Sequence, residues 1–436
     1  MANTLKFGSG QWATKVGSTL AYNDEGGNFK PLPFNFTRST IATRVNKEGL
    51  IEVVTNNKPR IDFLNDSNGA LLLEPERRNL IQYSEDFSQG WTASNIVIGS
   101  ASSISPNGSL SAFNIKSNSI SGGKYIYDDN SVSVSTTYTL SGFFKKKTHN
   151  FASLLINQRT SASGYIGQLA VNIDLVNGVI DTENFATAPT LINSKIENYG
   201  NGWYRVVLTA TTSSTAAIIR SCVGLAGSIS RFEYFGTVSD EVYAFGIQLE
   251  QGSYPTSYIP NYGTALGVTR SAETCNNAGN SQIFNDSEGV LFAEISALAN
   301  DETLRFLSLS NGTINQRIVF GFPDFSNIIR VVSGSSNLLI EANLDIENNN
   351  KISLIYESNN VNLWVNGFKV GTSNSYVPMT GFNSLNFNSG AGSSPFYGKT
   401  KEIAYYGEIL TDLELEYMTS YRSLNEMVTE LNLNAL

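Results

Sequence analysis

The chain has 436 residues, of which 41% are hydrophobic, 11% aromatic and only 15% charged. That apolar content is enough for packed cores, and with 37 glycines the chain reads as β-rich and turn-rich, not as disordered or as a helical cytosolic enzyme. A balance of 29 Lys and Arg against 38 Asp and Glu leaves a net charge of −9, which repels a phosphate backbone and sets nucleic acid aside as a partner.

No apolar run reaches the roughly 18–20 residues of a membrane-spanning helix, so no membrane insertion is expected. The first residues, MANTLKFGSGQ, lack the apolar stretch of a secretory signal. Cys222 and Cys275 are too few to staple a chain of this size and read as two buried free thiols. The single histidine, His149, lies in KKKTHN and reads as a solvated loop residue. Its isolation removes a Ser–His–Asp triad and a His-ligated zinc site from consideration.

Taken in chain order, residues 1–78 carry short apolar pieces, Leu50-Ile51-Glu52-Val53-Val54 and Ala70-Leu71-Leu72-Leu73, among prolines and charged turns. Residues 79–262 read as a run of half-buried strands. Tyr138, Leu140 and Phe144 mark one; in Leu169 to Leu175 one face is Leu, Val, Ile, Leu and the other small or polar. Asn177-Gly178 then predicts a type I′ hairpin turn into Val179 and Ile180. Trp203 to Leu208 is a denser strand, and Tyr243, Phe245, Ile247 and Leu249 alternate with smaller or polar neighbours. Residues 263–436 repeat the pattern with strands at Val290 to Ile295 and Ile352 to Tyr356. Val361 to Val365 follows, turning at Asn366-Gly367 into Phe368 to Val370. Near the end Thr411 and Glu414 form a capping box with Leu410 and Leu415 as its staple. Leu413, Tyr417, Tyr421 and Leu424 recur at helical spacing, so one amphipathic helix is expected to pack on the sandwich through them. The fold class is therefore all-β: two tandem antiparallel β-sandwich (jelly-roll) modules after an N-terminal attachment region, closed by a C-terminal amphipathic helix.

Several of these segments resemble known modules. Lys351 to Val370 (KISLIYESNNVNLWVNGFKV) resembles the central hairpin of concanavalin A-like, or laminin G-like, lectin modules, and Lys401 to Glu416 resembles their closing strand and helix. Leu71 to Phe87, Asn201 to Val206 and Gln248 to Pro260 resemble the carbohydrate-binding-module-like jelly roll of bacteriophage virion proteins, where it often precedes a lectin-like module. Phe29 to Arg38 resembles the leader of the same architecture. The resemblance implies a tail or head fibre protein on the phage particle surface. It would bind other virion proteins through its N-terminal region and host-surface polysaccharide through its β-sandwiches. By analogy with phage fibres, a homotrimer is expected. A capsid decoration protein with a structural role and a polysaccharide depolymerase are the alternatives the resemblance leaves open.

Catalytic patterns are missing. Glycoside hydrolysis needs two carboxylates flanking the bond, and the Glu-x-Asp-x-x-Glu strand of lectin-like hydrolases is absent. Glu341, Asp345 and Glu347 have the wrong spacing and read as a turn edge, while Asp412, Glu414 and Glu416 suit a helix start. Gly398-Lys399-Thr400 matches only the end of a phosphate-binding loop, since Ser393 stands where its first glycine belongs. Lys145, Lys146 and Lys147 read as a solvated turn or a blunted edge. No enzymatic activity and no cofactor are expected; the resemblance allows a structural calcium, though no complete calcium loop is visible. Sugar binding needs an aromatic plate with amides or carboxylates beside it. Trp364, which shares a strand face with Asn362 and Asn366, is one candidate; Trp91 and the pair Tyr125 and Tyr127 beside polar loops are others. Trp203 reads as core.

Overall fold

Two-residue alternation buries one face of each strand, and such strands gain most by stacking as paired sheets. The structure, a computed structural model that describes residues 4–431 and 433, is built that way. Residues 1–3 of the N-terminal segment and residues 432 and 434–436 lie outside the described residues. The chain forms two units. Unit 1 comprises the residues up to Ile41, Val54–Pro75 and those from Ser271 onward, and unit 2 comprises Ala42–Val53 and Glu76–Arg270.

Unit 1 pairs a ten-stranded sheet with a five-stranded one. The larger sheet centres on Glu288–Ala297 and Gly398–Tyr406, which pair antiparallel, and the smaller on Arg305–Ser310 and Arg317–Phe322. Leu291, Ala293, Ile352, Leu354 and Ile403 from one meet Leu307, Leu309, Ile318 and Phe320 from the other in a single core. The segment 1–78 does not stand apart from this core. Thr4–Gly8 pairs with Gly398–Tyr406 in the register Phe7 to Ile403, and Ala70–Leu73 pairs with the same strand. Leu5, Phe7, Phe34 and Leu71 are fully or almost fully buried there, in one cluster with side chains of the late strands.

A buried ion cluster also ties the early and late segments of unit 1. Glu273 accepts from Arg38 Nη1 at 2.6 Å, from Arg60 Nε at 2.9 Å and from the Glu74 backbone N–H at 2.9 Å. Arg60 Nη2 pairs with Glu74 at 2.8 Å and also with Glu273. Burial opposes the Arg60 charge, but the Glu273 and Glu74 carboxylates outweigh it and raise the pKa. Two cations and two anions cancel, which is what permits burial. The chain leaves or re-enters unit 1 at residues 41–42, 53–54, 75–76 and 270–271. Arg38, its acceptor Thr55 O, Glu74 and Glu273 stand one to each of those four crossings.

Unit 2 is a sandwich of two six-stranded sheets. One runs Thr92–Ser94, Lys124–Ser131, Ile218–Leu225, Phe151–Arg159, Tyr165–Asp174, Val179–Ala186; the other runs Ile96–Ile104, Leu110–Ser117, Glu241–Gln251, Thr137–Lys146, Trp203–Thr211, Thr190–Asn198. Their ladders are antiparallel, and Ile126, Leu154, Leu169, Val171 and Val223 from the first meet Leu140, Phe144, Val206, Leu208 and Ile247 from the second.

Three local expectations are corrected. Between Tyr243 and Leu249 the alternation reverses: Val242, Ala244, Ile247 and Leu249 face the core, while Phe245 turns away against Phe143 and Tyr258. Gly246 takes φ 63° at a β-bulge opposite Gly142, and the extra residue flips the faces. Asn177-Gly178 is not a two-residue turn. Asp174 pairs with Val179 across a four-residue loop, in which Gly178 N–H donates to Asp174 O and the Asp174 carboxylate accepts from Val176 and Asn177 N–H. Finally, the C-terminal segment forms two short helices, α1 (Asp412–Thr419) and α2 (Leu424–Glu430), instead of one. The Thr411–Glu414 capping box is present, and Leu415 packs inward with Leu410 beside it. The expected Leu413–Tyr417 stripe instead faces solvent at 75% and 79% exposure, since the staple at Leu415 sets the buried face one strip away. Asn366-Gly367 does turn as expected, with φ of 49° and 90°, joining Val365 to Phe368.

Candidate functional site

The first sheet of unit 2 turns one face to the core; the other carries an aromatic and polar strip. The register places side chains of that outer face in rows across the sheet. One row is Tyr127, Cys222, Leu155, Ala170 and Glu183; the next is Asp129, Arg220, Asn157, Gln168 and Phe185. Tyr125 and Tyr127, two apart on one strand, share this face with ring centroids 6.1 Å apart. Phe232, from the segment that follows Ile218–Leu225, lies over the buried middle of the first row. It sits 6.0 Å from Tyr125 and 6.4 Å from Phe185. Burial raises the Tyr125 pKa, so its phenol stays protonated as a donor.

The polar groups are held in fixed positions. Arg220 pairs with both Asp129 carboxylate oxygens, at 2.7 and 2.8 Å, and its guanidinium carbon lies 3.6 Å from the Tyr127 ring centroid. Hydrogen bonding to Asp129 raises the Arg220 pKa and keeps it charged. Asn157 Nδ2 donates to Gln168 Oε1 at 2.9 Å, while the buried Asn157 Oδ1 has no hydrogen-bond partner among the described residues. Glu183 accepts from Asn172 Nδ2 at 3.2 Å and from the Phe232 backbone N–H at 2.7 Å, so one carboxylate orients both the sheet and the covering segment. Such a surface offers ring faces and fixed amide and charged groups side by side, the combination that recognises a ligand with one apolar face and several hydroxyls.

His149 anchors the covering segment. Its Nε2 lies 2.7 Å from Ala226 O, its ring stacks on Tyr234 with 9° between planes and centroids 5.3 Å apart, and Nδ1 faces Asp240 at 3.8 Å. It is half-buried between strands, not the solvated loop residue that KKKTHN suggests. Burial pushes the Cys222 and Cys275 thiols up, and both cysteines are free and buried as expected.

The other sequence candidates go elsewhere. Trp364 does leave the aliphatic core face, but α1 covers it: it is only 6% exposed and clusters with Val290, Ile355 and Leu415. Packed against Leu415 of α1, with the Lys369 ammonium 5.3 Å from the ring, the buried indole is a seat for the helix and not an open plate. Asn362 accepts from Thr372 Oγ1 at 2.7 Å and donates to Asn360, and Asn366 accepts from Lys351 N–H and donates to Asn350 Oδ1. Both are spent on the hairpin. Trp91 is 9% exposed, donates Nε1–H to Tyr83 O at 2.9 Å and packs edge-on against Phe87. Trp203 is core, as read. Only Tyr125 and Tyr127 are brought together. Arg220, Phe185, Phe232, Asn157 and Gln168 escaped the sequence reading, although Gln168, Ala170 and Asn172, small or polar on an otherwise aliphatic strand, signalled a second face that is not part of the main core. Among the described residues, no three His, Cys, Asp or Glu side chains converge as a metal ligand set.

No family model and no curated protein matches this chain. Solved structures similar to it include the CBM40 of Ruminococcus gnavus IT-sialidase bound to alpha2,3 sialyllactose, at 15% identity over 33% of this chain and 94% of that one, with a TM-score of 0.29. Trypanosoma rangeli sialidase in complex with a difluoro-KDN is 9% identical over 92% of this chain and 82% of its own, with a TM-score of 0.27. Domains LG4-5 of the mouse laminin alpha1 chain are 9% identical over 81% and 95%, with a TM-score of 0.21. At identities of 9–15% and TM-scores below 0.3, none of these likenesses bears on what the chain does.

Proposed function

We propose that this protein is a non-catalytic, glycan-binding fibre protein of a bacteriophage particle, and that the outer face of the first sheet of unit 2 holds the sugar. The observation that carries the binding reading is the juxtaposition of Tyr125, Tyr127 and Phe185 with Arg220–Asp129, Asn157 and Gln168 on one sheet face. Half-buried rings take the C–H face of a pyranose, and the Arg220–Asp129 ion pair takes its hydroxyls. The virion setting rests on the resemblance of the sequence segments to phage modules. A shallow face of this kind binds weakly, so adhesion would come from many copies, each linked site raising avidity by orders of magnitude. On the same resemblance we place the contact with other virion proteins at the N-terminal region and the assembly as a trimer.

A glycan array probed with the full-length protein, followed by titration of the best hit, tests the binding reading. Tyr127→Ala and Phe185→Ala should each weaken that hit by about tenfold or more while the protein still melts cooperatively above the assay temperature. Absence of any hit, or full binding by both variants, would refute it. The exposed apolar side chains of Phe368, Leu413 and Tyr417 in unit 1 favour a second reading, a decoration protein whose surfaces hold neighbouring subunits. Immunogold labelling of the particle separates the two: capsid labelling supports decoration, tail-tip labelling supports host adhesion.

A further inference from the structure

Unit 2 also has a concave feature, which shares no residue with the aromatic strip. It is a cleft of about 800 Å³ lined by Arg77, Arg78, Tyr138, Ser131, Ser133 and Gln251, among others. That volume lies within the roughly 300–1,000 Å³ of small-ligand sites. The chain as a whole is acidic, yet two adjacent arginines line this cleft, and among the described residues neither forms an ion pair.

The lining is rich in donors that the protein leaves unused. Arg77 lies 5.2 Å over the Tyr254 ring and gives one hydrogen bond, from Nη1 to the Glu76 carbonyl at 3.1 Å; its buried Nε has no acceptor among the described residues. Tyr138, only 3% exposed, accepts from the Ser133 backbone N–H at 2.9 Å, and its own O–H proton has no acceptor among the described residues. A buried hydroxyl proton without an acceptor is costly and calls for one from outside. Gly252 lets the guanidinium sit where it does: a Cβ there, at φ 148°, would stand 2.8 Å from Arg77 Nε. Glu76 is the single acid among the lining residues, against the two arginines.

We infer that this cleft binds an oxyanion carried on a hydroxylated ligand, the carboxylate or sulfate of an acidic saccharide residue. The anion would take the Arg77 and Arg78 guanidinium groups, where fork geometry suits it, and the Tyr138 proton. Ser131, Ser133 and Gln251 would meet the hydroxyls. Because the Tyr125–Tyr127 face is not involved, the inference stands or falls separately from the function proposed above.

Calorimetric titration of the full-length protein with glucuronate, glucose 6-sulfate and glucose tests it. Both acidic sugars, or one of them, should bind while glucose does not, and the arm that binds identifies the anion. Arg77→Gln should weaken binding at least tenfold, Tyr138→Phe about fivefold, and Glu76→Gln should tighten it. Tyr138→Phe keeps the packing, so it remains a fair test should Arg77→Gln unfold. Equal binding of glucose and glucuronate, no binding of either anion at about 10 mM, or full binding by Tyr138→Phe would each overturn the inference.

Discussion

Replacing Glu273 by alanine would strike the buried cluster at its centre. The side chains of Arg38, Arg60 and Glu273 are 0% exposed and that of Glu74 3%, so no solvent screens the result. With Glu273 gone, Arg60 keeps only the Glu74 carboxylate, Arg38 loses the Glu273 carboxylate, and the Glu74 N–H loses its acceptor. Removing one partner from a buried ionic cluster costs about 3–5 kcal/mol. At about 2–4 °C per kcal/mol for a unit of this size, the melting temperature should fall by roughly 6–20 °C. Scanning calorimetry at pH 7 measures this. Glu52→Ala, which breaks the more exposed Arg44–Glu52 pair, is the comparison, with an expected cost of about 0–1 kcal/mol. Glu273→Gln keeps an acceptor but not the charge and should fall between them. Equal costs for Glu273→Ala and Glu52→Ala would refute the reasoning that this neutral cluster stabilises unit 1.

Three further outcomes are expected. His149→Ala removes the ring that touches Ala226 O and Tyr234, so amides of residues 226–236 should exchange about fivefold faster by hydrogen-exchange mass spectrometry. Leu415→Ala should cost about 2–5 kcal/mol and loosen α1, read as a red shift in tryptophan emission as Trp364 becomes wet. Glu85 accepts from Tyr258 and Tyr262 at 3.1 and 3.2 Å, and burial raises its carboxyl above the ordinary value. A raised acid contributes stability that is complete below its unfolded pKa and is lost as pH rises through the folded one. Glu85→Gln should therefore melt above wild type at pH 7, with the advantage vanishing below the usual carboxylate range. Paired melts that differ equally at both pH values would sink that prediction.

Local physics was readable wherever neighbours in sequence decide the outcome. The Asn366-Gly367 turn forms because both residues tolerate positive φ, and the Thr411–Glu414 box forms because its partners are three residues apart. The Asn177-Gly178 turn failed on the same scale, because the Asp174 carboxylate captures the next N–H groups and widens the loop. Half of the candidate face was also legible: Tyr125 and Tyr127 are outward neighbours by simple alternation. Their companions were not, since Phe185, Arg220 and Phe232 come from strands and a loop whose order in the sheet no short-range pattern encodes.

The amino-acid sequence alone thus determined that the chain is antiparallel β, where most of its strands run and that its cysteines are buried and free, because apolar period and turn chemistry are properties of short stretches. Tertiary structure alone decided which faces stay open. A helix closes over Trp364, a single extra residue at Gly246 reverses the strand Glu241–Gln251, and Thr4–Gly8 finds its partner in Gly398–Tyr406. Exposure depends on what packs against a surface from far along the chain, and periodicity carries no information about that.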